Sequence, residues 1–161
     1  MVRVFLYIVV GFIIIIFQMS NLVNSFKIGG IKPNIILSYI VYLSLTTEVS
    51  FAESISFVTG LMEDIFTGAF WGVNSFTKTV LSFILSRFKT KIFTEKSFSV
   101  FIVIFLADFL NNFIYFLLIS IFERDIDFYM ILVKITLPEA FYTAVLSIFL
   151  FPIFRRIFKK S

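Results

Sequence analysis

The sequence predicts an all-α integral membrane protein with about six transmembrane helices, and three observations lead to this fold class. Hydrophobic residues make up 60% of the 161 residues, and the mean hydropathy is +1.04. Charged residues are only 15% of the chain, and they cluster between long apolar stretches. A soluble domain needs a polar face on every surface helix, and these stretches have none, so their surface is expected to face lipid.

Missing residue types narrow the possible functions. The chain has no cysteine and no histidine, which excludes disulfides, thiolate zinc sites, histidine-ligated haem and nucleophile–histidine pairs. A net charge of +4 is compatible with nucleic-acid binding, but the basic residues flank apolar spans, as the positive-inside rule describes for membrane proteins. We therefore expect no nucleic-acid partner, no metal, no cofactor and no enzymatic activity.

Six apolar segments are candidates to cross the bilayer core, which is roughly 30 Å thick. The first is too long for a signal-peptide core and has no small-residue cleavage site, so it is expected to be a mature helix. The second is short and begins at Pro33, a residue suited to a first helical turn. No linker or exact repeat divides the chain, which predicts one polytopic domain over residues 1–161. The predicted spans are Val4–Val23, Pro33–Leu45, Val49–Phe66, Gly72–Phe88, Phe98–Phe122 and Phe128–Phe154.

The distribution of lysine and arginine assigns the sides of the membrane. With six spans, both termini share a side with the loop between the fourth and fifth helices. That side carries Arg3, Arg87, Lys89, Lys91, Lys96, Arg155, Arg156, Lys159 and Lys160, and the opposite side carries Lys27, Lys32, Arg124 and Lys134. The bias places both termini in the cytoplasm. A five-span alternative treats the second and third segments as one re-entrant unit.

Several polar residues lie inside the predicted spans, where a charge is costly unless it is paired or faces water. Lys78 and Asp108 fall near the middle of adjacent helices, which predicts an ion pair between them. Asn111 and Asn112 follow Asp108 on the same helical face, and Glu139 lies in the outer half of the last helix. These groups either satisfy one another and fix helix packing, or they mark an ion or substrate pathway. The sequence favours packing.

Small residues recur at helical spacing in the third and fourth spans. Ala52, Ser56 and Gly60 follow one another every four residues. Such seams let helix backbones approach closely and let hydroxyl groups bond across the contact. They predict a close helix contact, either within this chain or with a second protein. The seam of the fourth span comprises Gly72, Ser75, Thr79, Ser82 and Ser86.

The connection between these two spans is the most informative part of the chain. It reads Gly-Leu-Met-Glu-Asp-Ile-Phe-Thr-Gly-Ala-Phe-Trp-Gly-Val-Asn from Gly60 to Asn74. Asp64 can cap a helix or accept bonds near the outer helix end, and Gly68 and Gly72 permit a tight turn. The segment is either a polar hairpin loop or a surface shaped to receive a partner.

This segment resembles the signature of the MreD family of rod shape-determining proteins. In that signature, Gly-Leu-x-x-Asp is followed by a small-residue loop and Gly-hydrophobic-Asn. Lys32-Pro33-Asn34 resembles the family's opening of the second helix. The last span and its basic end, Phe151-Pro152-Ile153-Phe154-Arg155-Arg156, resemble the family's closing helix and tail. The similarity in length, order and hydropathy covers essentially the whole chain.

The resemblance implies a non-enzymatic scaffold of the cell-wall elongation complex, in the bacterial inner membrane, that helps to maintain cell shape during peptidoglycan synthesis. It implies MreC as the principal partner, with MreB filaments, wall-synthesis enzymes and membrane lipids as further partners. Gly60, Asp64, Gly68, Gly72 and Asn74 would form the partner-binding or helix-packing site.

The family's fold is similar to the six-helix substrate-binding subunit of energy-coupling-factor transporters. The alternative function is therefore a small-molecule-binding subunit of a vitamin or ion transporter. In that case Lys78, Asp108, Asn112 and Glu139 would line a ligand cavity.

Overall fold

The computed structural model describes residues 2–20, 25–68, 70–91, 96–122 and 127–159. Within these ranges the elements are helical, apart from an isolated β-bridge between Ile28 and Ile31. This helical content confirms the predicted all-α class. We number six helices in chain order, the last of which changes its hydrogen-bond pattern along its length. They are α1 (Val2–Met19), α2 (Ile35–Thr46), α3 (Val49–Thr67), α4 (Val73–Phe88), α5 (Ser97–Ile119) and α6 (Phe128–Ile131, Leu132–Thr136 and Leu137–Lys159).

Local chemistry moves the start of α2 away from its predicted position. Asn34 is the N-cap of this helix, and its side-chain oxygen accepts a hydrogen bond from the Leu37 N–H at 3.0 Å. The prediction that Pro33 lies in the first helical turn is therefore wrong, because Pro33 precedes the cap. Helix α1 ends at Met19, before the predicted Val23, and residues 21–24 lie outside the described part.

The last two helices also differ from their predicted bounds. Helix α5 ends at Ile119, because the chain turns at residues 120–122. Helix α6 continues beyond Phe154 to Lys159 and keeps Pro152 inside it. Its five-residue π segment directly precedes Leu137 and Pro138. Proline has no N–H for the preceding turn, so a local π turn is a known way to accommodate the freed carbonyl groups.

Contacts between distant segments define two ends of the bundle. At one end, the rings of Tyr7 in α1 and Phe158 in α6 stack at 4.2 Å between centroids. At the other end, the Asn34 N–H donates to the Thr143 hydroxyl at 3.0 Å, and the Tyr142 hydroxyl donates to the Phe26 carbonyl at 2.8 Å. The first and last helices therefore run in opposite directions, with residues 2 and 159 at the same end.

Helix α2 lies at the centre of the bundle. Residues 36–44 are all buried, and Ile36, Leu37 and Ile40 have no exposed surface. A helix of 12 residues rises only about 18 Å, less than the thickness of a bilayer core. A helix enclosed by other helices can be this short because protein groups satisfy its ends, as the Asn34 cap does.

Among the residues that the structure describes, two helices have both the length and the apolar composition to cross a membrane: Ser97–Ile119 and Tyr129–Phe158. Val4–Met19 and Ile35–Thr46 are apolar but shorter. Six crossings therefore remain a prediction. Arg124 and Lys160, which entered the assignment of sides, lie outside the described residues.

Candidate functional site

Asp64 is the centre of the connection between α3 and α4. Its side chain is fully buried near the C-terminal end of α3. One carboxylate oxygen accepts from the Asn74 N–H at 3.0 Å and the Asn74 side-chain amide at 2.9 Å. The other accepts from the Gly72 N–H at 2.9 Å and the Ser75 N–H at 3.2 Å. Asp64 thus caps α4 from the neighbouring helix and places a negative charge at its positive N-terminal end.

The glycines of this connection provide the backbone angles that bring α4 back under Asp64. Gly68 ends α3 with φ of 64°, and Gly72 precedes α4 with φ of 91°. Both angles lie in the left-handed region, which glycine adopts without a steric cost. Ala69, between them, lies outside the described residues. Gly68 and Gly72 therefore have the backbone angles that the predicted tight turn requires.

The second layer of the site is a buried ion pair between α3 and α4. The Lys78 ammonium lies 2.5 Å from a Glu63 carboxylate oxygen and 3.2 Å from the Asn74 amide oxygen. Asn74 therefore joins the Asp64 cap to the Lys78–Glu63 pair. The predicted ion pair between Lys78 and Asp108 is wrong. The close contact between α3 and α4 places the Glu63 carboxylate beside the Lys78 ammonium instead.

Glu63 was not among the polar residues predicted to lie inside the spans. Its proximity to Lys78 depends on how α3 and α4 are aligned, which hydropathy does not report.

The polar residues of α5 face α6. The Asn112 amide donates to a Glu139 carboxylate oxygen at 3.4 Å. Asp108 is fully buried, and no donor among the described residues meets hydrogen-bond geometry at its carboxylate oxygens, although the Thr143 side chain is close enough to interact with them. The Asn111 side-chain oxygen also has no donor in that geometry within the described residues. Asp108 lies within electrostatic range of Glu139, Lys78 and Glu63. The structure thus brings the predicted intramembrane polar residues into one region, in which acceptors outnumber donors.

The small-residue seams of α3 and α4 face each other within the chain. Ala52 and Ser56 of α3 have no exposed surface, and Ser75 of α4 is 1% exposed. The Ser75 hydroxyl donates to the Phe57 carbonyl at 2.9 Å, and Gly60 lies against the backbone of Ser75. The sequence left open whether these seams contact each other or a second protein. In the structure they form a contact within the chain.

Serine pairs that sequence reasoning did not identify join α2 to its neighbours. The hydroxyls of Ser44 and Ser82 lie 2.8 Å apart, and those of Ser38 and Ser147 lie 2.7 Å apart. The second pair is separated by 109 positions in the chain, so no local pattern could reveal it. Ser82 belongs to the predicted seam of the fourth span, but its partner on α2 was not predicted.

A polar cavity of about 450 Å³ opens beside these groups. It lies at the bundle end that holds Asn34 and Thr143, between the C-terminal ends of α1 and α3 and the N-terminal ends of α2 and α6. Its charged and amide lining residues are Gln18, Lys32, Asn34, Glu63, Lys134 and Glu139. Of the four residues predicted to line a cavity, Glu139 does so, whereas Lys78, Asp108 and Asn112 are not among its lining residues.

We expect the Lys78–Glu63 pair to show strong thermodynamic coupling. Lys78→Met should lower the free energy of unfolding by about 2–3 kcal/mol, because it leaves a mostly buried carboxylate without its partner. The usual loss is reduced here, since the Glu63 side chain is 15% exposed and reaches the cavity. The double variant Lys78→Met with Glu63→Gln should recover at least half of that loss. A double-mutant cycle from unfolding in mixed micelles measures the coupling, and additive effects would contradict the pairing.

Comparison with known proteins assigns the chain to a family. No curated relative and no solved structure matched it, so the likeness to the energy-coupling-factor subunit fold stays a prediction. A family profile described as rod shape-determining protein MreD matches residues 1–161. Because this match extends over the full sequence, the protein belongs to the MreD family of membrane proteins with a role in rod-shape determination.

Proposed function

We propose that this protein is a non-enzymatic membrane scaffold of the cell-wall elongation complex and that MreC is its principal partner. The observation that carries the proposal is the full-length match to a rod shape-determining family. The geometry around Asp64 agrees with a scaffold, because its strongest polar contacts connect α3 to α4 and hold the chain's own helices together.

The proposed topology has six crossings with both termini in the cytoplasm. The positions of basic residues support it. Arg87 and Lys89 end α4, and Lys96 precedes α5, on the side of the bundle where α1 begins and α6 ends. Arg155 and Arg156 lie near the end of α6 on that same side. Lysine and arginine prefer the cytoplasmic side, so we place this end there and the cavity at the outer surface.

MreC is proposed to dock on an aromatic tip beside the α3–α4 turn, which we define as Phe66, Phe70 and Trp71. The small-residue seams are buried within the chain, so they are not offered as the docking surface. Trp71 is 78% exposed and Phe66 is 63% exposed, while Phe70 stacks on Phe122 at 5.1 Å between centroids. Exposed aromatic anchors beside a rigid support are typical of residues that dominate binding energy.

Trp71→Ala should reduce the amount of MreC recovered with the tagged protein by about fivefold or more, as expected for loss of an aromatic anchor. The matched control is Phe98→Ala, because Phe98 is 73% exposed but begins α5 at the cytoplasmic end of the proposed topology. It should leave recovery unchanged. In cells that depend on this protein for rod shape, Trp71→Ala should give rounded cells and Phe98→Ala rods.

Equal recovery of MreC with Trp71→Ala and with the unmodified protein, at equal membrane levels, would count against the aromatic tip. The alternative function, a small-molecule-binding subunit of a vitamin or ion transporter, would instead appear as loss of solute uptake, without rounding, when the protein is removed.

A further inference from the structure

The polar cavity has a defined roof and wall. A two-residue turn at Gly29 and Gly30, with φ of 60° and 87°, closes a short hairpin in which Ile28 and Ile31 exchange both backbone hydrogen bonds. Gly29, Gly30 and Ile31 line the cavity. Asn34 and Gln18 form the adjoining wall, and their amides are engaged by the α2 cap and by the backbone of Pro33 and Ile35. The wall is therefore fixed by hydrogen bonds within the protein.

Charges in the cavity are arranged by depth. Glu63 and Glu139 are only partly exposed, and each contacts a group further inside, Lys78 for Glu63 and Asn112 for Glu139. Lys32 and Lys134 are exposed at the rim. A ligand that enters thus meets ammonium groups first and carboxylates below them.

A third carboxylate lies near Glu139. Asp108 is fully buried, no donor among the described residues meets hydrogen-bond geometry at its oxygens, and the Thr143 side chain and Glu139 both interact with it electrostatically. Glu63 pairs with Lys78, and Asp108 and Glu139 lie within electrostatic range of the same ammonium, while Lys32 at the rim also acts on Glu139. A cationic hydrogen-bond donor at the inner end of the cavity would meet the Glu63 and Glu139 carboxylates that line it.

An apolar groove of about 460 Å³ adjoins the cavity, because Ile31 lines both. Phe141 and Val145 of α6 form its wall, and both are exposed on the outside of the bundle. In the proposed topology this surface faces acyl chains. A ligand with a charged head in the cavity can therefore place an apolar chain in the groove.

From these observations we propose that the cavity binds the headgroup of a zwitterionic phospholipid. The primary ammonium of the lipid lies towards Glu63 and Glu139, its phosphate lies towards Lys32 and Lys134, and an acyl chain lies in the groove. A purely anionic headgroup would bring its charge to two carboxylates, and a purely cationic ligand would have to pass two ammonium groups. The cavity volume is within the range of small-ligand sites. This proposal does not depend on the partnership with MreC.

Native mass spectrometry of the full-length protein, delipidated in detergent, tests the proposal. The probes are dioleoyl phosphatidylethanolamine, dioleoyl phosphatidylglycerol and dioleoyl phosphatidylcholine. We expect the ethanolamine lipid to bind at about tenfold lower concentration than the other two, because they lack an ammonium that can donate hydrogen bonds. Equal binding of all three lipids to the unmodified protein would overturn the proposal, and this result requires no variant to fold.

Variants then locate the site. Glu139→Gln keeps the oxygen that accepts from Asn112 and should weaken binding of the ethanolamine lipid about tenfold, and Lys134→Gln should weaken it severalfold. Matched controls are Glu48→Gln and Lys96→Gln, two exposed positions at the opposite end of the bundle, which should not change binding. Unchanged binding by both cavity variants would overturn the assignment.

Competition with phosphoethanolamine, which has the same headgroup chemistry but no acyl chains, distinguishes a lipid from a soluble ligand. We expect phosphoethanolamine not to displace the ethanolamine lipid at the concentrations at which the lipid binds. Strong displacement would overturn the lipid in favour of a soluble zwitterion.

Discussion

Replacing Asp64 with alanine is expected to lower the free energy of unfolding by about 3–5 kcal/mol, one of the two largest effects that we predict. The carboxylate accepts hydrogen bonds from the backbone N–H groups of Gly72, Asn74 and Ser75 and from the Asn74 side chain. Alanine would leave these donors buried without an acceptor, where water cannot replace it. The loss therefore exceeds that of an ordinary helix cap, for which about 1 kcal/mol is typical.

Asp127 provides the matched control. It lies just before α6, and its carboxylate accepts from the Met130 N–H at 3.1 Å at an exposed position. Asp127→Ala removes the same chemical group from a helix start that water can reach, so we expect a loss of about 0.5–1 kcal/mol. Unfolding by sodium dodecyl sulfate in mixed micelles, followed by circular dichroism, gives both values. Similar losses for the two variants would show that burial of the Asp64 cap is not what makes it important.

Asp64→Asn separates the geometry of the cap from its charge. The amide keeps one acceptor oxygen but turns an NH₂ group towards backbone N–H donors. We expect a loss of about 2 kcal/mol or more, because one side of the cap becomes repulsive and the favourable charge at the start of α4 disappears. Full stability of Asp64→Asn would mean that the cap needs only one oxygen.

The connection around Asp64 was the part of the fold most accessible from sequence. A glycine at each side of a short loop, and a carboxylate one turn before it, are local signals with direct physical meaning. The structure places Gly68, Gly72 and Asp64 in those roles. The all-α class was equally accessible, since long continuous apolar stretches in a membrane satisfy their backbone groups by forming helices.

Features that depend on how helices distant in the chain align with one another could not be predicted from the sequence. Lys78 was predicted to pair with Asp108 because both lie inside spans, and the choice of Glu63 follows from the close α3–α4 contact. The central position of α2 was also missed, because hydropathy cannot tell a helix surrounded by protein from one surrounded by lipid. Its serine contacts to Ser82 and Ser147 join segments far apart in the chain.

The cavity illustrates the same limit. Its charged lining comes from the loop before α2, the end of α3 and the start of α6, which supply Lys32, Glu63 and Lys134. In the sequence each of these residues reads as an ordinary charge near a span end. Only the folded chain shows that they surround one space, with carboxylates inside and lysines at the rim.

Gly60→Leu is expected to have the largest effect of any substitution proposed for this chain: failure to form the native α3–α4 contact. Even a Cβ atom at this position would lie 2.5 Å from the Ser75 Cα and 2.6 Å from its backbone nitrogen. Both neighbours are backbone atoms, so no side-chain rotation can relieve the overlap. The helices must separate, which breaks the hydrogen bond from Ser75 to the Phe57 carbonyl and displaces the donors that Asp64 caps.

The smaller substitution, Gly60→Ala, gives a sharper test, because it predicts whether the free energy of unfolding rises or falls. Alanine favours a helix over glycine by about 1 kcal/mol, so an exposed helical glycine should gain stability from this substitution. At Gly60 we expect a loss of about 3 kcal/mol instead, because the overpacking and the loss of the cap exceed that gain. Gly11→Ala in α1 is the control, since the nearest atoms to its Cβ would belong to the Tyr39 ring, at 3.1 Å, and not to a backbone. Tyr39 is buried and hydrogen-bonded to the Tyr7 carbonyl, so we expect a smaller loss of about 1 kcal/mol for Gly11→Ala. A Gly60→Ala variant as stable as the unmodified protein would show that α3 and α4 do not require contact through their backbones.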